Sequence, residues 1–455
     1  MSEVKVNKIS PRTNCGTVQL GDSGDTITIP AGATITNNGT QTGFGRTGTV
    51  NWDTTAKTAS FTAVSGNGYF VNTTSGAITV TLPASPSAGD IVGIADYAGT
   101  SATNAITIAR NGSNFEGGTA DGGIATNRQT GTFVYVDGTQ GWVAVNSNDA
   151  SFILPEFVAA TGGTVTTCGN FKIHSFTGPG TFTVSNAGNA SGSSSVDYLV
   201  IAGGGSGGTR YSGGGGAGGY RFSDGTASGS FCAGPSCLGA SALPVAVQAY
   251  PITVGGGGSG VSEGTPTCIS GNRGANSVFS TIISTGGGGG VKQNVTGPQE
   301  PASPGGSGGG SSYNCGPGGT GNTPPVTPPQ GNTGGIGLGN PYYTTGGGGG
   351  AGGVGGNAPQ SQGGIGGAGL CSAITGTGIT RGGGGGGAGS LNNSTGPGPA
   401  HPGGGGGTAG GAASPGSTSS AGAANTGGGS GGGYGYPGNS GNGGSGLVVI
   451  RYRFQ

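Results

Sequence analysis

Alternating apolar and polar residues predict a series of short β-strands in the first half of the chain. Between residues 46 and 149, seven such segments are separated by Gly, Asn, Pro and Ser turns, a spacing typical of a β-sandwich or jelly-roll-like domain. Trp142 and Phe133 are predicted core residues of this domain. The seven predicted strands cover residues 59–64, 68–72, 77–82, 90–95, 105–109, 132–136 and 141–145.

Two flanking regions show weaker alternation. Residues 1–45 contain short alternating pieces that cannot bury one face alone, so we expect an interwoven, trimerising β segment that attaches to a larger assembly. Residues 150–199 are predicted to form a small β module, with residues 171–176 and 180–184 as a hairpin around Thr177-Gly178-Pro179. His174 lies inside the first of these strands, and we interpret it as structural.

The apolar pattern becomes continuous at Val196–Ala202 and again at Leu447–Phe454. Continuous apolar runs are typical of strands buried on both faces. Glycine runs follow the first strand and precede the second. Pairing of these two strands would therefore close residues 200–455 into one domain.

Discrete glycine runs between these strands predict a bundle of polyglycine-II helices. A polyproline-II-type chain has three residues per turn and no internal hydrogen bonds, so its N–H and C=O groups point sideways. Without side chains, such rods can approach closely and bond to one another, which satisfies buried backbone groups. Non-glycine residues that face solvent should then recur every third position, as they do at residues 351, 354 and 357, at 365 and 368, and at 217 and 220. The predicted fold class is mostly β plus this bundle, with almost no α-helix.

The amino-acid composition narrows the range of functions that this protein can have. The chain has 455 residues, of which 118 are glycine and only 7% are charged, with a formal net charge of zero. A disordered linker is the usual interpretation of so much glycine, but disordered chains usually carry more charge and need no apolar closing strand. No membrane span or signal peptide is recognisable, which favours assembly in a cytosol. We expect no nucleic-acid partner, because no basic cluster exists.

Seven cysteines form no CxxC pair and have no nearby histidine, so we expect no metal site and no cofactor. Cys232 and Cys237 are close enough in sequence to close a small disulfide loop after release from a reducing cell, although free thiols are expected. The acids of the glycine-rich half, such as Asp224, Glu263 and Glu300, are isolated. Paired acids at glycosidase spacing are not visible, so we expect no enzymatic activity.

The segments Tyr198–Gly205, Tyr250–Gly258 and Gly446–Tyr452 resemble the glycine-rich domains of phage tail-fibre proteins. Residues 168–176 resemble the strands that often lead into such domains, and residues 4–44 are similar to N-terminal segments of marine-phage fibres. The bundle also resembles the tip adhesin of T-even-like phages, although that adhesin is a separate chain. The resemblance implies a homotrimeric virion tail fibre that works with other phage tail proteins and binds a host cell-surface receptor, an outer-membrane protein or a polysaccharide.

In the tip adhesin, loops at the far end of the bundle decide receptor specificity. Here successive rods must alternate in direction, and the strands at 196–202 and 447–454 should both lie at the opposite end. These two conditions restrict which loops lie at the far end. One count treats residues 334–339 as a separate rod, whereas the other treats residues 271–276 as a return rod, and the two disagree for loops between 261 and 345. Both place loops 209–212, 357–362, 390–402 and 434–440 at the far end. Tyrosine and arginine offer contact area and hydrogen bonds with few rotamers to freeze. The predicted receptor contacts are Arg210, Tyr211, Asn392, Asn393, His401, Tyr434 and Tyr436.

Alternative functions remain open at this point. An ice-binding protein would need short loops and a repeated plane of Thr or Ala. A purely structural glycine-rich protein would show one repeating unit throughout. A depolymerase would need catalytic acids brought together by folding.

Overall fold

The computed structural model divides the chain into two compact units, residues 1–150 and 151–455. It describes residues 50–147, 152, 154–225, 227–228, 239–262, 268–292, 301–313, 316–389, 418–435 and 438–455, with a few isolated positions before residue 50. These residues form β-strands and extended rods without any α-helix, as the sequence predicts. In the same residues, no helical segment has the length and apolarity needed to cross a bilayer. The predicted trimerising segment, residues 1–45, lies almost wholly outside them.

The first unit contains two sheets. Its strands are β1 (Asn51–Lys57), β2 (Phe61–Thr62), β3 (Asn67–Val71), β4 (Ile78–Thr81), β5 (Ile91–Asp96), β6 (Ile106–Ala109), β7 (Gly122–Ile124), β8 (Thr130–Tyr135) and β9 (Trp142–Ser147). The first sheet has the order β1-β3-β5-β8-β9 and the second β2-β4-β6-β7. Trp142 and Phe133 are fully buried, which confirms that they are core residues.

Strand pairing in this unit is partly parallel. From β1 to β6 the chain alternates between the two sheets, so that β1, β3 and β5 pair in parallel, as do β2, β4 and β6. The last strands pair antiparallel, β7 with β6 and β8 with β5 and β9. Alternation along each strand predicts a half-buried sheet, but it carries no information about which strand lies beside which.

The second unit begins with two packed sheets. Its strands are β10 (Val158–Thr161), β11 (Thr164–Cys168), β12 (Phe171–Phe176), β13 (Gly180–Ala187), β14 (Ser195–Ile201), β15 (Tyr220–Phe222), β16 (Leu243–Pro244), β17 (Ala249–Thr253), β18 (Ser277–Phe279), β19 (Ile282–Ser284), β20 (Leu370–Ser372), β21 (Ile379–Arg381) and β22 (Leu447–Arg453). One sheet has the order β10-β13-β17-β18-β19 and the other β11-β12-β22-β14-β15, while β20 and β21 form a hairpin. Strands from residues 158–187 thus share sheets with strands from residues 249–284 and 447–453.

Strands β14 and β22 pair antiparallel, with Tyr198 opposite Ile450 and Val200 opposite Val448. One face of this pair packs into a core with Phe182 and Phe279 of the neighbouring sheet. The other face packs with Ile374, from the turn between β20 and β21. Burial on both faces explains the continuous apolar pattern, and the predicted closure of the glycine-rich region is confirmed.

The predicted hairpin of residues 171–176 and 180–184 is wrong. Strand β12 pairs with β11 and β22, whereas β13 pairs with β10 and β17 in the other sheet. The turn at residues 177–179 therefore crosses between two sheets. This arrangement lets Phe176 and Phe182 both enter the core between the sheets, which a two-stranded hairpin alone would leave half exposed.

The glycine-rich runs form extended rods whose directions follow from their hydrogen-bond registers. Gly287 bonds to Gly203 and Gly290 to Ser206, so these two rods are parallel, whereas Gly205 bonds to Gly216 and Ala202 to Gly219 in an antiparallel pair. Rods that run away from β14 and β22 cover residues 203–208, 255–261, 285–292, 305–312, 331–337, 351–356, 382–388 and 427–433. Rods that return cover residues 213–219, 269–276, 317–322, 345–350, 363–369, 418–423 and 438–446, and residues 301–304 end a further return.

Each central rod bonds to six neighbours. In the rod 203–208, the N–H groups of Gly203, Gly204 and Gly205 donate to Ala275, Gly444 and Gly216, each on a different rod. The carbonyl oxygens of the same three residues accept from Gly287, Gly258 and Ser430, on three further rods. Three residues per turn with no internal hydrogen bonds produce this hexagonal pattern. A core of bare backbone has thus replaced a core of apolar side chains.

Rods at the surface show a three-residue period of exposure. In the rod 255–261, Gly255, Gly258 and Val261 are buried, whereas Gly256 and Ser259 are exposed. Among the predicted outward positions, Val354 is 66% exposed and Ile365 is 42% exposed, which confirms them. Ala217 and Tyr220 do not follow this prediction, because the rod 213–219 is central and both side chains are buried.

Candidate functional site

Outgoing rods run away from β14 and β22, and returning rods run back toward them. The loops that connect each outgoing rod to the next returning rod lie at one end of the bundle. We call it the far end, because β14 and β22 lie at the other end. Loops 209–212, 357–362 and the turn after residue 433 lie there, as expected from the sequence. The loop predicted at 434–440 is shorter, because the chain is already bonded to neighbouring segments at Gly438 and Ser440. Residues 262, 268, 292, 313 and 316, at the ends of further connections between rods, also lie at the far end, as does loop 338–344.

Neither count of rods made from the sequence was complete. Residues 271–276 and residues 334–337 both lie in rods, and a further return ends at residues 301–304. Ser303 marks that return, since its N–H donates to Gly289 and its carbonyl accepts from Gly309. Few glycines occur between residues 293 and 304, so no glycine run indicates this rod.

Tyr211 and Tyr434 meet at the far end although they belong to distant segments. Their ring centroids lie 5.3 Å apart with an interplanar angle of 75°. The Arg210 N–H donates to the Gly438 carbonyl at 3.0 Å, and its guanidinium lies 3.8 Å from the Cys268 sulfur. Tyr211 is only 9% exposed, so its side chain packs within this group of loops and contributes little to their surface. Arg210 and Tyr434 are half-buried.

A second tyrosine pair occupies the same end. Tyr313 and Tyr343 have centroids 5.1 Å apart at 88°, and the Thr344 hydroxyl donates to the Pro359 carbonyl at 3.0 Å, which ties loops 338–344 and 357–362 together. Sequence reasoning missed this pair because the count of rods left loops between 261 and 345 unassigned. A signal was present in Tyr342-Tyr343, two adjacent tyrosines between glycine runs.

Four predicted contacts, Asn392, Asn393, His401 and Tyr436, lie outside the described residues. The long segment that carries the first three departs from the rod 382–388 and returns at residue 418. Ala388 donates to the Ser212 carbonyl and Ser419 to the Asn439 carbonyl, so both ends of this segment lie at the far end.

The described residues contain no cluster of three or more His, Cys, Asp or Glu side chains that could hold a metal ion. Asp197 is buried near the opposite end, where the Ser223 and Ser228 hydroxyls donate to its two carboxylate oxygens at 2.7 and 2.5 Å. Burial raises the pKa of this carboxyl above its usual value. Both partners are serine hydroxyls of the same unit, so we interpret Asp197 as a structural residue of β14.

His174 is also built into the fold. It is fully buried, its Nδ1 lies 2.7 Å from the Gly162 carbonyl oxygen, and its Nε2 lies 3.1 Å from the Tyr452 hydroxyl. The imidazole stacks on the Tyr452 ring at 5.5 Å. Burial lowers the pKa of His174, and the nearby Lys172 charge lowers it further, against the opposing effect of the Gly162 bond.

We expect the second unit to lose stability as the pH falls below about 6.5, the pKa of an exposed histidine. In that range the unfolded chain binds a proton that folded His174 binds only at lower pH, so protonation favours unfolding. Urea unfolding between pH 7.5 and 5.5 measures this dependence. The His174→Gln variant should be less stable at pH 7.5 but less sensitive to pH, and an unchanged pH slope would contradict the assignment.

Comparison with known proteins identifies the glycine-rich part. A family model described as a glycine-rich domain matches residues 175–453, from β12 to the last residue of β22. No curated protein matches the chain. The matched segment coincides with the rods and the strands that close them.

Proposed function

The chain belongs to the glycine-rich domain family, and from this premise we propose that its bundle is a rigid scaffold that presents far-end loops to a receptor. The proposed protein is a phage tail-fibre adhesin of the virion that binds a host cell-surface protein or polysaccharide. It works as a homotrimer with other phage tail proteins and has no catalytic role and no nucleic-acid partner.

One observation carries this proposal: aromatic residues from distant segments meet in loops at a single end of the bundle. The Tyr211–Tyr434 and Tyr313–Tyr343 pairs lie there, and the strands that close the domain lie at the other end. A laterally bonded rod bundle holds its loops in place, so that little ordering entropy is lost on binding. Loops can change sequence without changing the rods, which suits recognition of varied receptors.

The outer surface of the bundle favours this proposal over ice binding. Rods 331–337, 351–356 and 363–369 are neighbours and expose Ile336, Val354 and Ile365. These side chains differ in shape and do not repeat Thr or Ala in a plane. We therefore expect no thermal hysteresis from the purified protein.

Binding of the labelled protein to a panel of bacterial strains tests the proposal. On a strain that binds, the double variant Tyr211→Ala and Tyr434→Ala should bind at least about tenfold more weakly, because central tyrosines often carry much of the binding energy. The matched control is Thr377→Ala, an exposed residue in the turn between β20 and β21 at the opposite end, which should bind normally. Absence of binding to every strain, or an equal loss in both variants, would contradict the proposal.

A further inference from the structure

Three aromatic side chains follow one another across the first sheet of the first unit, on the face that points away from the core. Trp52 lies on β1, Phe70 on β3 and Tyr97 directly after β5. The Trp52 and Phe70 ring centroids are 5.0 Å apart and the rings are tilted by 33°. Phe70 and Tyr97 are 6.5 Å apart with their rings nearly perpendicular. We call these three residues the aromatic platform.

The Trp52 indole is held flat on the sheet by two glycines. A Cβ at Gly68 would lie 2.6 Å from Val50 Cγ2 and 2.7 Å from two atoms of the indole ring. A Cβ at Gly93 would lie 2.8 Å from Val50 Cγ2 and 3.3 Å from a third indole atom. Gly68 and Gly93 are register partners on β3 and β5, so the ring spans two strands where neither has a side chain. One face of the indole covers backbone, and the side chain is nevertheless 40% exposed.

Tyr97, which is 52% exposed, forms a wall at the other end of the platform. Two hydrogen bonds fix the backbone of Tyr97. Its N–H donates to the Val71 carbonyl at 2.9 Å, and its carbonyl accepts from the Arg128 guanidinium at 2.7 Å. The rings are thus preorganised, which lowers the entropic cost of binding a ligand.

We propose that the aromatic platform binds a neutral oligosaccharide, with one sugar ring stacked on Trp52 and Phe70 and bounded by Tyr97. The C–H bonds on the face of a pyranose carry partial positive charge, and the face of an aromatic ring is negative. The sugar hydroxyls would meet the Tyr97 phenol and the amide of Asn72 at the rim. This site lies in the first unit and is independent of the far-end loops.

The exposed area argues for a small ligand. Aromatic side chains offer about 150–250 Å² each, so the exposed fractions of Trp52 and Tyr97 present on the order of 140–230 Å². A stable protein interface buries about 800 Å² on each partner. Single-stranded nucleic acid also stacks on aromatic rings but needs a cationic groove. Here the Lys57 ammonium of β1 is paired with Asp53 at 2.8 Å, and the Arg128 guanidinium donates to the Tyr97 carbonyl at 2.7 Å.

Tryptophan fluorescence tests the proposal directly. The protein has two tryptophans, and Trp142 is fully buried, so acrylamide quenching reports on Trp52. We expect cellohexaose, maltohexaose or xylohexaose, at up to about 10 mM to detect a Kd near 1 mM, to protect Trp52 from acrylamide in the full-length protein. Trp52→Ala should weaken binding in calorimetry about tenfold or more.

Two further variants separate binding from folding. Gly68→Ala should weaken binding although it retains all three rings, because the new Cβ displaces both the Val50 side chain and the indole. Val136→Ala changes an exposed residue in the β8–β9 turn and should bind like the unchanged protein. The proposal is overturned if none of the three oligosaccharides protects Trp52, if Trp52 is already shielded from acrylamide without ligand, or if Trp52→Ala and Val136→Ala bind equally well.

Discussion

Replacing Gly215 with alanine is expected to destabilise the glycine-rich domain by at least about 3 kcal/mol. Gly215 lies in the central rod 213–219, and a Cβ there would lie 2.1 Å from the Gly205 carbonyl oxygen. The obstacle is backbone, and that carbonyl already accepts a hydrogen bond from Ser430. No flexible side chain can move aside, so two rods must separate and hydrogen bonds on several neighbours must lengthen.

Gly256→Ala is the matched control, because it is the same substitution on a surface rod. An added Cβ at Gly256 has no atom within 4 Å. We expect its effect to stay within about 1 kcal/mol, because the new Cβ meets no atom and alanine reduces the entropy of the unfolded chain. Thermal unfolding measures both variants. Amide hydrogen exchange should show strong protection at 203–208 and 213–219 in the unchanged protein, and equal unfolding temperatures for the two variants would refute the packed-rod core.

Deletion of residues 447–455 should prevent the second unit from folding. Strand β22 is central in its sheet, between β12 and β14, and its side chains enter both cores. Without it, β14 loses a pairing partner, and Phe182 and Leu199 lose core contacts. The expected loss exceeds the whole stability of a typical domain, about 5–15 kcal/mol.

Limited proteolysis of the truncated protein checks this expectation, and the first unit serves as an internal control. Residues 50–147 should resist protease and keep Trp142 buried, since both sheets of that unit are complete without β22. Within the intact chain, Ile450→Ala should cost about 2–5 kcal/mol, whereas Val354→Ala, at a 66% exposed position, should cost little. A truncated protein whose glycine-rich region remains protected would show that the rods need no closing strand.

Much of the local structure was predictable because it depends on nearby residues. The alternation in residues 59–145 indicated the strands of the first unit, although it missed β1 and β7. β7 is the short segment Gly122–Ile124, and β1 has polar residues at most positions, so neither shows clear alternation. The continuous apolar runs at 196–202 and 447–454 also indicated their mutual pairing, since only buried strands are apolar on both faces.

The candidate site was less predictable. The loop positions of Arg210, Tyr211 and Tyr434 followed from the parity of the rods, but the contact between the two tyrosines did not, because it joins loops at opposite ends of the domain sequence. The Tyr313–Tyr343 pair was missed because no glycine run indicates the return rod that ends at residues 301–304. The loops between residues 261 and 345 therefore could not be assigned to an end of the bundle. The roles of these residues as receptor contacts remain predictions.

The sequence by itself determined that the second half would be a bundle of bare-backbone rods closed by two apolar strands, because glycine runs and continuous apolar runs each leave few other ways to satisfy buried groups. Only the tertiary structure decided which rods are neighbours, that β12 and β13 join different sheets, and that the Trp52 indole rests on Gly68 and Gly93. The physical reason is that every glycine offers the same N–H and C=O to any partner. Choice among partners therefore depends on the strands and loops that fix each rod in space.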